Sequence, residues 1–292
     1  MNIFSIKDLE LLSGIKAHTI RIWEQRYSLL KPTRTGTNIR FYNNEELKLV
    51  LNISLLNRYG YKISHIDKMT SEEMQEKIVA LSHSDAQQER LVNELIQHMI
   101  ELEIEKFEDV LDECISLKGI EKTIINIVFV FLERVGILWQ TNHVNPAQEH
   151  LVTNVIRQKI ILGIENIKEP INPEKKVLLF LPEGEHHELC LLLICYLIKS
   201  RGICVLYLGT NVPLKDVQYV VKLKKPLFLF SHLTAITQNF NLEKYLTHVG
   251  SKLPDSNIIL SGQMIQNYKK KVPYNVEIKK TLVEVMEHIK SI

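Results

Sequence analysis

Four short, almost uniformly apolar runs do most to restrict the fold of this chain: Val177–Leu181, Cys204–Leu208, Leu227–Phe230 and Asn257–Leu260. Each is too short for a packed helix and too evenly apolar for a strand with one wet face. Stretches of helical character lie between and after them, at 187–200, 213–223, 241–251 and 281–291. Strands buried on both faces and alternating with helices predict a doubly wound, open parallel sheet covered on both sides. Such sheets take their ligands beyond the carboxyl ends of the strands.

The preceding sequence has another texture. Across residues 71–167 the only Gly or Pro residues are Gly119, Gly136, Pro146 and Gly163, and apolar positions such as Leu91, Leu95, Met99 and Leu102 recur at helical spacing. A four-helix bundle is expected there. The polar, proline-bearing stretch Lys168–Lys175 reads as a linker. The longest apolar run in this part, Ile124–Leu132, stops at Glu133 and Arg134, so it is read as a buried helix and no membrane span is expected. No basic stretch followed by an apolar core opens the chain, so a cytoplasmic protein is expected. Cys114, Cys190, Cys195 and Cys204 form no CxxC pair and are read as reduced, packed thiols. The domains predicted are 1–72, 73–167 and 176–292, a multidomain α plus α/β chain.

Residues 1–70 carry eleven Lys/Arg against six Asp/Glu, a net of +5, which leaves −3 for the rest of a chain whose total is +2. A basic head suits contact with phosphate. Within it Ser5, with Asp8 three residues on, marks a helix start. Ser13-Gly14 makes a turn, and a second helix runs over Ile15–Tyr27. Ile15, Ile20 and Trp23 face inward there, while Lys16, His18, Thr19, Arg21 and Arg26 project outward. That is helix-turn-helix geometry, in which the second helix enters the major groove. The Pro/Thr/Gly-rich segment Lys31–Thr37 and the short alternating strand Asn38–Tyr42 would then form a β-hairpin wing, with Thr33, Thr35 and Thr37 shaping it.

The run Ile6-Lys7-Asp8-Leu9, Gly14-Ile15, Thr19–Glu24, Arg26-Tyr27, Leu30-Lys31-Pro32, Arg40-Phe41-Tyr42 and Gly60–Ile66 strongly resembles the MerR family over about the first seventy residues. The resemblance implies a winged-helix dimer on palindromic double-stranded DNA. It makes Arg21, Arg26, Arg34 and Arg40 contacts to phosphate and groove, and Tyr42 a contact from the wing to the DNA backbone.

At the carboxyl end of the first expected strand stands Leu181-Pro182-Glu183-Gly184-Glu185-His186-His187-Glu188. By residue type alone, a His-His pair among three glutamates is a solvated loop, a zinc half-site or a ligand-facing loop in which Glu185 sets the basicity of His187. The acidic-x-His pattern, Ser231-x-Leu233 after the third strand and Ser261-Gly262 after the fourth resemble the cobalamin-binding domain, whose fold is flavodoxin-like (Rossmann-type). That resemblance implies His187 as the lower cobalt ligand and Glu185 as its partner. Ser231, Leu233, Ser261 and Gly262 are implied around the displaced nucleotide tail. Two positions depart from the family: Cys190 stands where Gly is usual, and Ser261 replaces the first of two glycines.

Trp139 is followed after nine residues by Glu149-His150, with Asn145-Pro146 as a turn signal between. This is a core tryptophan with a surface pair, or the signature of the light-sensing MerR-type repressors of the CarH/LitR group. Membership implies that Trp139, Glu149 and His150 lie at the upper face of adenosylcobalamin. It further implies that a homo-oligomer, dimer or tetramer, holds several heads on the operator until light releases the upper group. Gln140 occupies the place of the histidine that ligates cobalt after illumination in that group, leaving His143 or His150 as substitutes. The competing readings are a regulator with a degenerate pocket for another ligand or protein partner, and a corrinoid carrier or mutase subunit. No nucleophile–base constellation or phosphate loop points to an enzyme.

Overall fold

The computed structural model describes residues 3–27, 29–140, 145–168, 172–236 and 240–291, with the side chains of 137–140, 173 and 282 outside the description. It divides into two compact units, residues 1–155 and 156–292, with the division falling inside one long helix.

In the first unit α1 (Ile6–Ser13) and α2 (Ala17–Arg26) meet at Gly14, whose left-handed φ of +73° reverses the chain. Ser5 and Asp8 form the expected reciprocal cap on α1. The wing is a two-residue ladder, β1 (Thr33–Arg34) against β2 (Arg40–Phe41). Tyr42 and Phe4 exchange backbone hydrogen bonds of 2.8 and 2.9 Å, tying the wing's base to the start of the chain. Helices α3 (Asn44–Arg58), α4 (Ile63–Ile66) and α5 (Ser71–Val79) complete a core around Trp23, Ile53, Leu56, Ile66 and Met74.

Four long helical stretches follow: α6 (Ser84–Glu101), α7 (Ile104–Lys118), α8 (Ile120–Thr123) continuing through a π turn into α9 (Phe129–Gln140), and α10 (Pro146–Glu165). Leu91, Leu95 and Met99 are buried on α6 as their spacing predicts, but Leu102 is not. It caps the helix in left-handed conformation at φ 58° and is half exposed, so the period ends one turn early. The buried helix expected over Ile124–Leu132 contains that π turn, Ile124–Val128.

The second unit is built on a five-stranded parallel sheet: β3 (Asn172–Pro182), β4 (Ile203–Val212), β5 (Phe228–His232), β6 (Ile258–Ser261) and β7 (Val276–Ile278). The order β4-β3-β5-β6-β7 is the doubly wound 2-1-3-4-5 arrangement. Helices α11 (Leu189–Lys199), α12 (Leu214–Lys224), α13 (Leu242–Lys252), α14 (Gln263–Gln266) and α15 (Leu282–Lys290) alternate with the strands. Leu178, Phe180, Leu229, Ile258 and Leu260 pack with Val217, Leu246 and Val249 in one core. Two features depart from expectation. The predicted linker gives its last residues to β3, which enters the sheet at Asn172 through an irregular register. The short edge strand β7, paired to β6, has no counterpart among the apolar runs.

Candidate functional site

On α2 the apolar face is buried through Ile20 and Trp23, and Lys16, His18, Arg21 and Arg26 are exposed, with Thr19 half-buried. Lys16 pairs with Glu10 on α1 at 3.3 Å. The wing residues behave differently. Glu24, on α2, accepts a 2.7 Å hydrogen bond from Arg40 Nε and another from the Tyr42 hydroxyl, and an Arg34 guanidinium nitrogen lies 3.9 Å away. Tyr42, expected to reach DNA, faces inward instead: only 1% of it is exposed. Burial first and Glu24 second push its pKa up, so the hydroxyl stays a donor. Glu24, which the sequence reading passed over, thus fastens the wing to the second helix. Arg34 also donates to Asn38 at 2.9 Å and remains exposed.

Beyond the sheet's carboxyl edge the loops after β3 and β5 meet, at the switch point of the strand order. Gly184, left-handed at φ 84°, turns the chain after β3, and its N–H donates to Asn211 Oδ1 at 2.9 Å. Glu185 is fully buried and acts as the keystone. One carboxylate oxygen receives the His187 backbone N–H at 2.9 Å and pairs with His187 Nδ1 at 2.6 Å. The other receives the N–H groups of Thr234 and Ala235 at 2.7 and 3.0 Å. Burial, the largest single influence, favours the protonated acid, but the bonds from His187, Thr234 and Ala235 together outweigh it and lower the pKa. The carboxylate is therefore ionised, and the His187 ring, 54% exposed, is oriented through Nδ1.

Ser231, Leu233, Ser261 and Gly262 gather beside this keystone. The Ser231 hydroxyl is buried and has no hydrogen-bond partner among the described residues. Leu233 N–H donates to Ser261 O at 2.8 Å, and Met264 N–H to Leu233 O at 3.1 Å. A Cβ on Gly262 would lie 2.2 Å from the Leu233 carbonyl oxygen, at a φ of +115°. The glycine is demanded here by its own neighbour's backbone. The Ser261 hydroxyl is engaged with His232 Nδ1 at 2.7 Å. Burial lowers the pKa of His232 to about 4, keeping it neutral. His232 was not singled out in the sequence, although it stands between two residues that were. Cys190, on the first turn of α11, has its pKa pushed up to about 12 by burial and then by Glu185, so it is a protonated thiol.

Glu149 and His150 lie on the first turns of α10, as the turn signal predicted, 3.7 Å apart, with His150 well exposed. Asn145 and Gln148 fix that helix start, through Ala147 N–H to Asn145 Oδ1 and Asn145 N–H to Gln148 Oε1, both 2.9 Å. Trp139 and Gln140 end α9, and their side chains lie outside the described residues, as does His143 altogether. Among the described residues no helix is long and apolar enough to cross a membrane.

Residues 4–73 match the model of the MerR HTH family regulatory proteins, and residues 91–162 that of the B12 binding domain. The HTH-type transcriptional repressor CarH of Myxococcus xanthus is 26% identical over 83% of this chain and 83% of its own. The repressor CarA of the same organism is 28% identical over 73% of this chain and 70% of its own. Among solved structures, the monomethylamine corrinoid protein of Methanosarcina barkeri superposes with a TM-score of 0.54 at 12% identity, over 70% of this chain and 99% of that one, a likeness of fold. The chain therefore carries one segment similar to the MerR HTH regulatory proteins and another similar to the B12 binding domain, and over most of its length it is similar to the CarH and CarA repressors.

Proposed function

We propose that this protein is a cytoplasmic transcriptional repressor controlled by adenosylcobalamin and light through oligomer assembly. The observation that carries the reading is His187, half exposed beyond β3 and oriented by a buried, ionised Glu185. An imidazole whose Nδ1 is bonded to a carboxylate is a good metal ligand through Nε2. The buried, unpartnered Ser231 hydroxyl fits as well, since such an atom needs an acceptor or donor from a ligand. The residues present therefore fit a corrinoid, with Cys190 and Ser261 narrowing the tail groove.

When bound, adenosylcobalamin supplies a cobalt–carbon bond that light can break. Glu185 holds the imidazole in one tautomer and pose, and the backbone of Thr234 and Ala235 keeps Glu185 ionised. Trp139, Glu149 and His150 are assigned to the upper side of the ligand. Lys16, His18, Thr19, Arg21 and Arg26 are assigned to the operator along α2, with Arg34 and Arg40 on the wing and Tyr42 as its brace. Cobalamin shifts the dimer–tetramer balance only by binding one state more tightly, and several linked heads then hold an operator far better than one. The domains are assigned as 1–72, 73–167 and 176–292, with no catalytic residue.

The test is the visible spectrum and gel-filtration mass of protein prepared with adenosylcobalamin in the dark and again after illumination. A bound corrinoid whose spectrum and assembly size both change on illumination is expected. His187→Ala should weaken binding at least about tenfold, the equivalent of some 1.4 kcal/mol. A second reading, a pocket that has given up the vitamin, is favoured by the Cys190 thiol and by the Ser261–His232 bond in the tail region. Absence of bound corrinoid would leave that reading standing. A third, a corrinoid carrier or mutase subunit, would be revived by turnover of a methyl donor.

A further inference from the structure

Glu188, the residue after His187, has no part in the reading above, yet it is held from two sides. The Tyr207 hydroxyl, on β4, donates to its Oε1 at 2.9 Å. Arg157 Nη1, on α10, stands 3.6 Å from its Oε2. Arg157 Nε is buried and has no hydrogen-bond partner among the described residues, a cost the guanidinium bears in this position. Burial, reinforced by Glu188, raises the Tyr207 pKa, so the hydroxyl remains a donor. Gly209 is left-handed at φ 81°, and a Cβ there would make only ordinary contacts, 3.8 Å from Glu188 Oε1 and 3.7 Å from the Tyr207 ring, so the clamp lies directly against that turn. Glu188 is also the N-cap residue of α11. The loop bearing His187 is thus anchored on one side by the Glu185 keystone and on the other by this clamp.

We propose that Glu188, gripped by Arg157 and Tyr207, is a positioning residue for the His187 ligand. Glu185 sets the rotation of the imidazole, and Glu188 sets where the backbone presents it. A coordinate bond tolerates only about 0.5 Å of misplacement, so both anchors are needed. Arg157 lies seven residues beyond His150 on α10, about two helical turns. The loop that carries His187 is thereby tied to the Arg157 turn of α10. The inference rests on His187 as the cobalt ligand.

The experiment is electron paramagnetic resonance of the full chain, labelled with ¹⁵N-histidine and loaded with cob(II)alamin, with binding titrations and urea midpoints alongside. Coupling to a ¹⁵N ligand gives a doublet, whereas the vitamin's own ¹⁴N base gives a triplet. The wild type should show the doublet and His187→Ala should lose it; a wild type without it sinks the ligand reading, and the clamp with it. Given the doublet, Arg157→Ala and Glu188→Gln should bind about two- to fivefold more weakly, the scale of one partly exposed charged contact. They should also show triplet mixed into the doublet, at unchanged urea midpoints. Arg157→Lys, which keeps the charge, should restore the wild-type signal, and Tyr207→Phe should reproduce the defect without loss of charge. Unaltered doublet and affinity in Arg157→Ala and Glu188→Gln, or no recovery with lysine, overturns the proposal while leaving His187 as the ligand.

Discussion

The head and the sheet tip use charge in opposite ways. Along α2 the cations Arg21 and Arg26 are exposed on a helix whose other face is core. At the sheet tip the decisive charge, Glu185, is fully buried and accepts bonds from four donors of its own chain. A surface meant for a polyanion keeps its charges unspent until the partner arrives. A site meant to present one nitrogen at one angle spends its charge internally and gains rigidity. The wing is intermediate: Arg40 is half-buried and bonded to Glu24, so orientation there is bought with part of its charge.

The contrast is broken most severely at the tip. Gly262→Ala forces a Cβ against the Leu233 backbone and should cost roughly 3 kcal/mol or more, read as a lowered urea midpoint. A neutral result would show that the loops after β5 and β6 separate easily. Glu185→Ala should cost about 1–3 kcal/mol, because it removes the acceptor of the His187, Thr234 and Ala235 N–H groups and of the His187 ring. Retained stability with retained corrinoid binding would mean the keystone is dispensable. Glu24→Gln keeps an acceptor for Tyr42 but loses the charge facing Arg40, at about 1–2 kcal/mol, and should loosen the wing enough to weaken operator binding. Arg21→Ala should leave the melting temperature alone and reduce the slope of log K against log salt by about 0.9, measured by titration on operator DNA. An unchanged slope removes Arg21 from the interface. The last effect is absent at neutral pH and appears only on acidification. The neutral state of His232 is favoured on folding, so its contribution is complete above the unfolded pKa of about 6.5 and is lost as pH falls towards about 4. His232→Gln should flatten that part of the stability–pH curve, and an unaltered slope would place the acid sensitivity elsewhere.

Much of the fold was legible because local rules suffice for it. Ser5 and Asp8 mark α1 whatever the surroundings, and four evenly apolar runs fill only the middle of a covered sheet. The edge strand β7 escaped because three residues beside Pro273 carry too little pattern. Leu102 was misread because spacing gives a face but not the point at which a helix ends. At the candidate site, Glu185 and His187 were visible as a motif, since the two bonding partners are two residues apart. Glu24 and Glu188 were not, because their partners Tyr42 and Tyr207 lie 18 and 19 residues away on other elements.

Sequence alone determined the order of head, helical segment and parallel sheet, and put an imidazole beyond the first sheet strand. Periodicity and short motifs are properties of neighbours along the chain, and those survive without a fold. Only the tertiary structure decided that Tyr42 faces inward, that Gly262 serves Leu233, and that Glu185 stays ionised although buried. Each of these depends on partners or backbone brought from 18 to 50 residues away, and only the folded chain assembles them.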